Sequence, residues 1–321
     1  MVNDMRIAFV GKGGSGKTTV ASLFARYLAE KNLPVLAIDA DINQHLAAAL
    51  GFSEEEAASI PPLGAEMNRI KEYLRGENPR IRSNAVMIKT TPPGGGSRFL
   101  RLTEYNPLSR YFERNVSGVR LMAVGEFAEE DLGVKCYHSK VGAVELILNH
   151  LIDEKKEYVV VDMTAGADAF ASGLFTKFDL TLLIVEPTLR SIGVYTQYKN
   201  YAKDHQLNIK VIGNKIEDED DVAFIKAHVG DDLLVVLKKS DFIRSSEKGS
   251  QPPLKRLEAE NRHALESIIQ TIDDIRKDWK KFYDDAILLH VKNAEGWANE
   301  AVGENLVLQI DPSFNIEAVF V

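Results

Sequence analysis

Ile7-Ala8-Phe9-Val10-Gly11-Lys12-Gly13-Gly14-Ser15-Gly16-Lys17-Thr18-Thr19 decides how this chain of 321 residues is read. The apolar run Ile7 to Val10 predicts a buried strand, and the periodic stretch from Thr18 to about Lys31 predicts a helix. Between them, Gly11-x-x-x-x-Gly16-Lys17-Thr18 has the spacing of a phosphate loop. Glycines at 11, 13, 14 and 16 let successive backbone N–H groups turn toward one anion, because no Cβ blocks a positive φ. The loop ends at a helix N-terminus, whose unpaired N–H groups add to the attraction. Ser15 and Thr19 complete the predicted binding set. Lys17 would reach the β- and γ-phosphates of a nucleoside triphosphate, and the Thr18 hydroxyl would complete a Mg²⁺ shell.

A second reading competes. Gly11-x-Gly13-x-x-Gly16 also satisfies a dinucleotide fingerprint, with Asp39 and Asp41 roughly 20 residues further on. That reading, an NAD-dependent oxidoreductase, has no use for Lys17-Thr18 at the helix start. The strand, turn and helix around the motif favour the phosphate loop.

Composition sets the frame. Hydrophobic residues make up 45% and charged residues 27%, the profile of an ordinary globular protein. The length suits one large α/β domain with a modest extension, or two domains. With 39 basic and 47 acidic residues the net charge is −8, which offers no general pull on nucleic acid or anionic lipid. The absence of a signal-peptide core in Met-Val-Asn-Asp-Met-Arg, and of an apolar run near ~20 residues, leads us to expect no membrane span and a cytoplasmic location. A single cysteine fits a reducing compartment.

Lys12 turns the loop into Lys-Gly-Gly-x-Gly-Lys-Thr-Thr. This resembles the deviant Walker A motif of the ParA, MinD, nitrogenase iron-protein and CooC group of ATPases, and the resemblance extends over roughly residues 5 to 270. It implies ATP, Mg²⁺ and a two-ATP sandwich homodimer in which Lys12 contacts phosphate, where a cation offsets charge on the transferring group. Asp39-x-Asp41, after the strand Pro34–Ile38, matches the family's switch I. By that match Asp41 orients or deprotonates the attacking water and Asp39 supports the Mg²⁺ shell; capping of the next helix is the plainer alternative for both acids. The apolar run Tyr158 to Val161 ending in Asp162 reads as a Walker B strand with Asp162 near Mg²⁺. Met163 to Ala167 corresponds to switch II, where Gly166 would permit backbone movement. Glu186-Pro187-Thr188-Leu189-Arg190-Ser191 looks like a segment of the CooC-like members. Asn214-Lys215, after the strand Ile209–Gly213, matches the position whose amide reads the adenine edge.

Strands alternating with helices predict a doubly wound, mainly parallel α/β sheet. We expect an ATPase domain over 1–275, with an irregular excursion at about 52–118 that covers the sheet, and a C-terminal extension over 276–321. Thr90 to Gly96 reads as a turn or mobile loop, and Ser240 to Gly249 as a loop returning toward the base. Pro252-Pro253 starts a long helix continuing to about Leu289. Two short strands are expected, at 306–310 and 317–321.

In CooC-type ATPases, which insert nickel, the strand corresponding to 119–124 leads to a metal-binding Cys-x-Cys pair. Here the pair is Cys136-x-His138. Thiolate and imidazole remain competent ligands, and two copies across a two-fold axis would supply four for zinc or nickel; equally, the two residues are simply near one another. The reading that results is a slow Mg²⁺-ATP-dependent switch ATPase, closest to CooC-type metallocentre assembly with a metalloenzyme client. A ParA- or MinD-type positioning ATPase is the alternative. Neither membrane nor nucleic acid is an expected partner.

Overall fold

The computed structural model describes residues 5–126, 137–154 and 156–320. Its strands are β1 (Met5–Gly11), β2 (Val35–Ala40), β3 (Leu100–Arg101), β4 (Arg114–Val116), β5 (Val119–Ala123), β6 (Leu151–Ile152), β7 (Tyr158–Met163), β8 (Leu180–Val185), β9 (Ile209–Ile216) and β10 (Leu233–Lys238). Eight of them form one sheet in the order β10-β9-β8-β1-β7-β2-β5-β4, while β3 and β6 pair separately. Within the large sheet only β4 runs antiparallel, against β5. The buried strands read as nearly unbroken apolar runs because both faces of a parallel sheet are covered. In β1, Ala8 and Val10 face one core and Met5, Ile7 and Phe9 the other.

The helices are α1 (Lys17–Glu30), α2 (Leu46–Leu50), α3 (Glu54–Ala58), α4 (Met67–Arg75), α5 (Pro107–Phe112), α6 (Tyr137–Asn149), α7 (Leu189–Ala202), α8 (Glu219–Val229), α9 (Asp241–Glu247), α10 (Ala259–Asp273), α11 (Trp279–Asn293) and α12 (Asn299–Val302). α1 and α10 cover one face; α4, α6, α7 and α8 cover the other. The β1–α1–β2 unit crosses over β7, which puts the carboxyl ends of β1, β2 and β7 side by side. Open α/β sheets bind ligands at such a place. Asp39 lies opposite Asp162 in the β2–β7 register.

The excursion at 52–118 carries short helices between irregular stretches and packs on the sheet: Ser53 forms a capping box on α3 and Asn106 another on α5. Ile70, Leu74, Val86 and Met87 from it join the core beneath the sheet. Several other expectations need correction. Ser240 to Gly249 contains α9, with the Ser240 side chain accepting from Ile243 N–H. The helix expected from Pro252 to Leu289 is two helices, α10 and α11. The tail forms 3-10 turns at Leu306–Gln309 and Ile316–Phe320 in place of strands. Asn305, Asp311 and Asn315 each accept from a backbone N–H two residues on, which fixes tight turns and removes the donors a strand would need. Thr90 to Gly96 takes the turn of the two expected forms, and it is packed in place. Thr90 and Thr91 are buried, Thr91 donates to Gln309 Oε1 at 3.2 Å, and Gly95 N–H donates to Asp311 at 3.1 Å.

The C-terminal helices are anchored by buried charge. Arg6, 1% exposed, donates to Asp153 Oδ1 at 2.8 Å and 2.6 Å and to the carbonyls of Leu148 and Leu151. Lys277 pairs with Asp153 and, at 3.1 Å, with Asp179. The rings of Trp279 and Phe282 lie over the Arg6 guanidinium at 5.0 Å and 5.3 Å. Burial pushes the Asp153 pKa up, but Arg6 and Lys277 together draw it below the usual carboxylate value.

Candidate nucleotide site

The phosphate loop is built where its glycines demand it. Gly11 has φ +152°, and a Cβ there would lie 2.6 Å from the Ile184 carbonyl of β8, so no side chain fits. Gly16 caps α1 in the left-handed region at φ +94°, with a Cβ site 2.4 Å from Asn214 Nδ2. The Ser15 N–H donates to the Lys12 carbonyl at 3.1 Å, closing the turn. Gly13 and Gly14 are open to solvent.

Two carboxylates, Asp41 and Asp162, face the loop, and a third, Asp39, stands behind them. The buried Lys17 ammonium lies 3.4 Å from Asp41 Oδ2, while Asp41 Oδ1 accepts from Asn43 N–H at 3.0 Å. Thr18 Oγ1 donates to Asp162 Oδ2 at 2.6 Å, and the buried Asp162 Oδ1 has no hydrogen-bond partner. Burial raises the Asp162 carboxyl to about 7 against the opposing pull of Thr18 and Lys17. A hydroxyl beside a buried carboxylate oxygen lacking any donor is the oxygen set that Mg²⁺ takes alongside substrate phosphates, so these residues fit that ion. Asp39 is committed differently. Its Oδ2 accepts from the Leu46 N–H that opens α2 at 2.8 Å, and Oδ1 accepts from Asp41 N–H at 3.1 Å. It shapes the switch I turn from behind, with its pKa raised by burial and then by Asp162.

The far side of the loop holds what the sequence did not show. Val236 pairs with Gly213 and Lys238 with Ile216, so Asn214 and Lys215 on β9 oppose the single residue Leu237. That is a β-bulge, and Lys215 occupies φ +61° within it. In an unbroken strand adjacent side chains point to opposite faces; here both reach the loop. Asn214 Nδ2 donates to the Ser15 carbonyl at 2.7 Å and Lys215 Nζ to the Gly14 carbonyl at 2.7 Å. Lys215 also pairs with Glu186 Oε1 at 2.7 Å, and Glu186 Oε2 lies 3.8 Å from Lys12. Lys12 therefore sits on the outer rim, about one-third exposed. Thr188 caps α7 just beyond Glu186, accepting from Ser191 N–H.

Beside the loop opens a cavity of about 480 Å³, bordered by Gly16, Thr19, Asn214, Lys239, Arg244 and Glu247. It is roomy enough for a nucleoside. Gly166, at φ +67°, gives its carbonyl to the Tyr198 hydroxyl at 3.1 Å. Cys136 lies outside the described residues, and His138 falls in the first turn of α6 with its side chain outside that description as well. Among the described residues, no three His, Cys, Asp or Glu side chains group to hold a metal ion.

The CobQ/CobB/MinD/ParA nucleotide binding domain family (CbiA) matches residues 7–293. The chain belongs to this family. It is an ATPase, and family membership sets aside the dinucleotide reading. This ATPase is 31% identical over 224 residues to the carbon monoxide dehydrogenase accessory protein CooC of Rhodospirillum rubrum, covering 69% of this chain and 78% of that protein. It is also 31% identical over 217 residues to an uncharacterized ATP-binding protein of Methanocaldococcus jannaschii, covering 67% and 77%. Among solved structures, a plasmid partition protein of Borrelia burgdorferi bound to AMPPNP superposes with a TM-score of 0.55 at 17% identity, over 85% of this chain and 98% of that one. The septum site-determining protein MinD of Pyrococcus horikoshii, complexed with Mg-ADP, gives 0.53 at 16% identity, over 84% and 96%. Identities this low establish the shared fold.

Proposed function

We propose that this ATPase is a slow Mg²⁺-ATP-dependent homodimeric switch serving metallocentre assembly, with nickel or zinc as its cargo. The observation that carries the nucleotide chemistry is the buried Asp162 carboxylate, with one oxygen on Thr18 and the other unpartnered beside the loop. Thr18 and Asp162 would hold the Mg²⁺, with Asp39 fixing the turn behind them. When bound, that ion neutralises charge on the β- and γ-phosphates. Lys17 would pass its ammonium from Asp41 to phosphate oxygens, and the released Asp41 Oδ2 would orient the attacking water. Asn214 gives its N–H to Ser15, so its amide oxygen is the side left for an adenine edge. Lys12, on the open rim, would contact the phosphates of a second copy.

The metallocentre role is supported by the likeness to the Rhodospirillum accessory protein and by the Cys136-x-His138 sequence. Two copies would supply a tetrahedral Cys₂His₂ set, which a single copy lacks. A positioning role rests on the breadth of the family and on fold likeness. Light scattering with metal analysis, run with and without a non-hydrolysable ATP analogue, tests the proposal. The closed dimer should carry one ion. Lys12→Ala should keep nucleotide and lose the dimer, and Cys136→Ser should keep the dimer and lose the ion. A monomer under both conditions, or equal metal content in parent and Cys136→Ser, would sink it.

A further inference from the structure

An open groove of about 860 Å³ lies on the face away from the nucleotide cavity. One wall is the end of α7 together with the 3-10 turns that follow switch II, contributing Phe170, Phe175 and Tyr201. The other wall is the last turns of α11 and a π-helical turn at Ala294–Ala298, contributing Leu288 and Trp297. Of seven large apolar side chains exposed among the described residues, three line this groove: Tyr201 at 50%, Leu288 at 56% and Trp297 at 51%. Such a concentration marks a surface that another molecule covers. π-helical turns gather at functional sites, and this one carries Trp297. The Trp297 Nε1–H is satisfied by Asn293 Oδ1 at 3.1 Å, so the ring offers its apolar face. Trp297 also stands beyond residue 293, where the family match ends.

The rim is cationic on an acidic protein. Lys89, His205 and Lys292 border the groove, and among the described residues no carboxylate does. Among the described residues neither Lys89 nor Lys292 makes an ion pair. Glu145, buried beneath Gly173, has its carboxyl raised by burial and drawn back by the charges of Lys177 and Lys89. We propose that this groove docks an acidic amphipathic segment of a partner protein, with a leucine or aromatic anchor between Tyr201 and Trp297 and carboxylates on Lys89 and Lys292. Helix-in-groove recognition has this layout, apolar anchors flanked by complementary charge. Nucleic acid fits less well: two lysines and a histidine neutralise few phosphates on a chain of net charge −8.

The groove is joined to the switch. The Phe170 ring lies 4.6 Å from that of Tyr198, whose hydroxyl holds the Gly166 carbonyl. A segment seated on Phe170 therefore touches the chain that runs directly from Asp162, and nucleotide should alter its affinity. Docking itself does not depend on the proposed cellular role; only the nucleotide response rests on the switch II reading.

A displayed library of random 16-residue peptides, panned on the full chain, tests this. Recovered sequences should be net acidic with leucine or aromatic residues at helical spacing. By fluorescence anisotropy their affinity should fall at least tenfold for Trp297→Ala and for Lys89→Glu with Lys292→Glu, and ATP turnover without peptide should stay unchanged. A non-hydrolysable ATP analogue should shift affinity at least threefold; an unchanged value removes the link to the switch. Recovery of basic peptides, or binding indifferent to the groove variants, or no groove-dependent peptide at all, overturns the proposal. So does self-association that Trp297→Ala abolishes, which would assign the groove to a second copy, or tighter binding of oligothymidine than of any peptide.

Discussion

Replacing Lys215 should separate what its side chain does from what its backbone costs. Lys215 Nζ braces the Gly14 carbonyl and Glu186, each at 2.7 Å. A hydrogen bond from a charged donor contributes about 1.5–3 kcal/mol, but this side chain is 47% exposed, and screening reduces that to about 1 kcal/mol. Lys215→Met should therefore loosen the loop and weaken ATP binding about fivefold, since 1.4 kcal/mol corresponds to tenfold. The backbone adds a second term. At φ +61° a lysine bears about 1 kcal/mol of left-handed strain that asparagine tolerates better. Lys215→Asn cannot reach Gly14, so it should show the same fivefold loss of affinity while unfolding about 1 kcal/mol harder than Lys215→Met. Titration calorimetry with ATP and urea unfolding measure the two quantities. If both variants bind ATP within twofold of the parent, the bulge does not brace the loop.

Two of the remaining outcomes concern the nucleotide site and one the charge cluster at Arg6. Lys17→Ala should abolish ATP binding, whereas Asp41→Ala should keep ATP and lose most turnover; filter binding and phosphate release distinguish them, and lost ATP affinity in Asp41→Ala would move that residue to the ion's shell. Burial raises Asp162 to about 7, with Asp39 raised as well. Folded Asp162 therefore holds a proton between about 4 and 7 that the unfolded chain has released, and its contribution to stability falls as pH rises through that window. Mg²⁺ must displace the same proton, so its affinity should fall by up to tenfold per pH unit below about 7 and level off above it; a flat profile from pH 6 to 8 would count against the assignment. Lys277→Met should destabilise the fold by about 3 kcal/mol, because Asp153 and Asp179 lose a buried partner, and a melting temperature within 1 °C of the parent would contradict that estimate.

The loop, its strand and its helix were legible because a Gly-rich turn with Lys17-Thr18 leaves few alternatives at that spacing. The apolar runs ending at Asp39 and Asp162 were legible for a related reason: a strand buried on both faces writes itself as uninterrupted Val, Ile and Leu. The bulge at Asn214-Lys215 was not. Nothing in Gly-Asn-Lys-Ile announces that one extra residue sits opposite Leu237, since that depends on a partner strand some twenty residues away. The tail misled because Leu306 to Ile310 has strand-like composition, while Asn305 and Asp311 quietly spend the backbone donors. The groove was invisible because its two walls are distant in sequence and meet only through packing.

The ion cluster at Arg6 has a consequence for how the molecule comes into being. Arg6 is synthesised long before Lys277, yet Asp153 and Asp179 need both cations before their carboxylates can leave water. While the chain is still being synthesised, the base of the central strand carries two acids against one guanidinium, so closing the sheet early is disfavoured. The nascent protein is thus held back from completing its core until α11 can swing Trp279 and Phe282 over Arg6. Shortened chains ending before that helix should behave as unfinished folding intermediates, prone to aggregation and proteolysis, and not as smaller working ATPases.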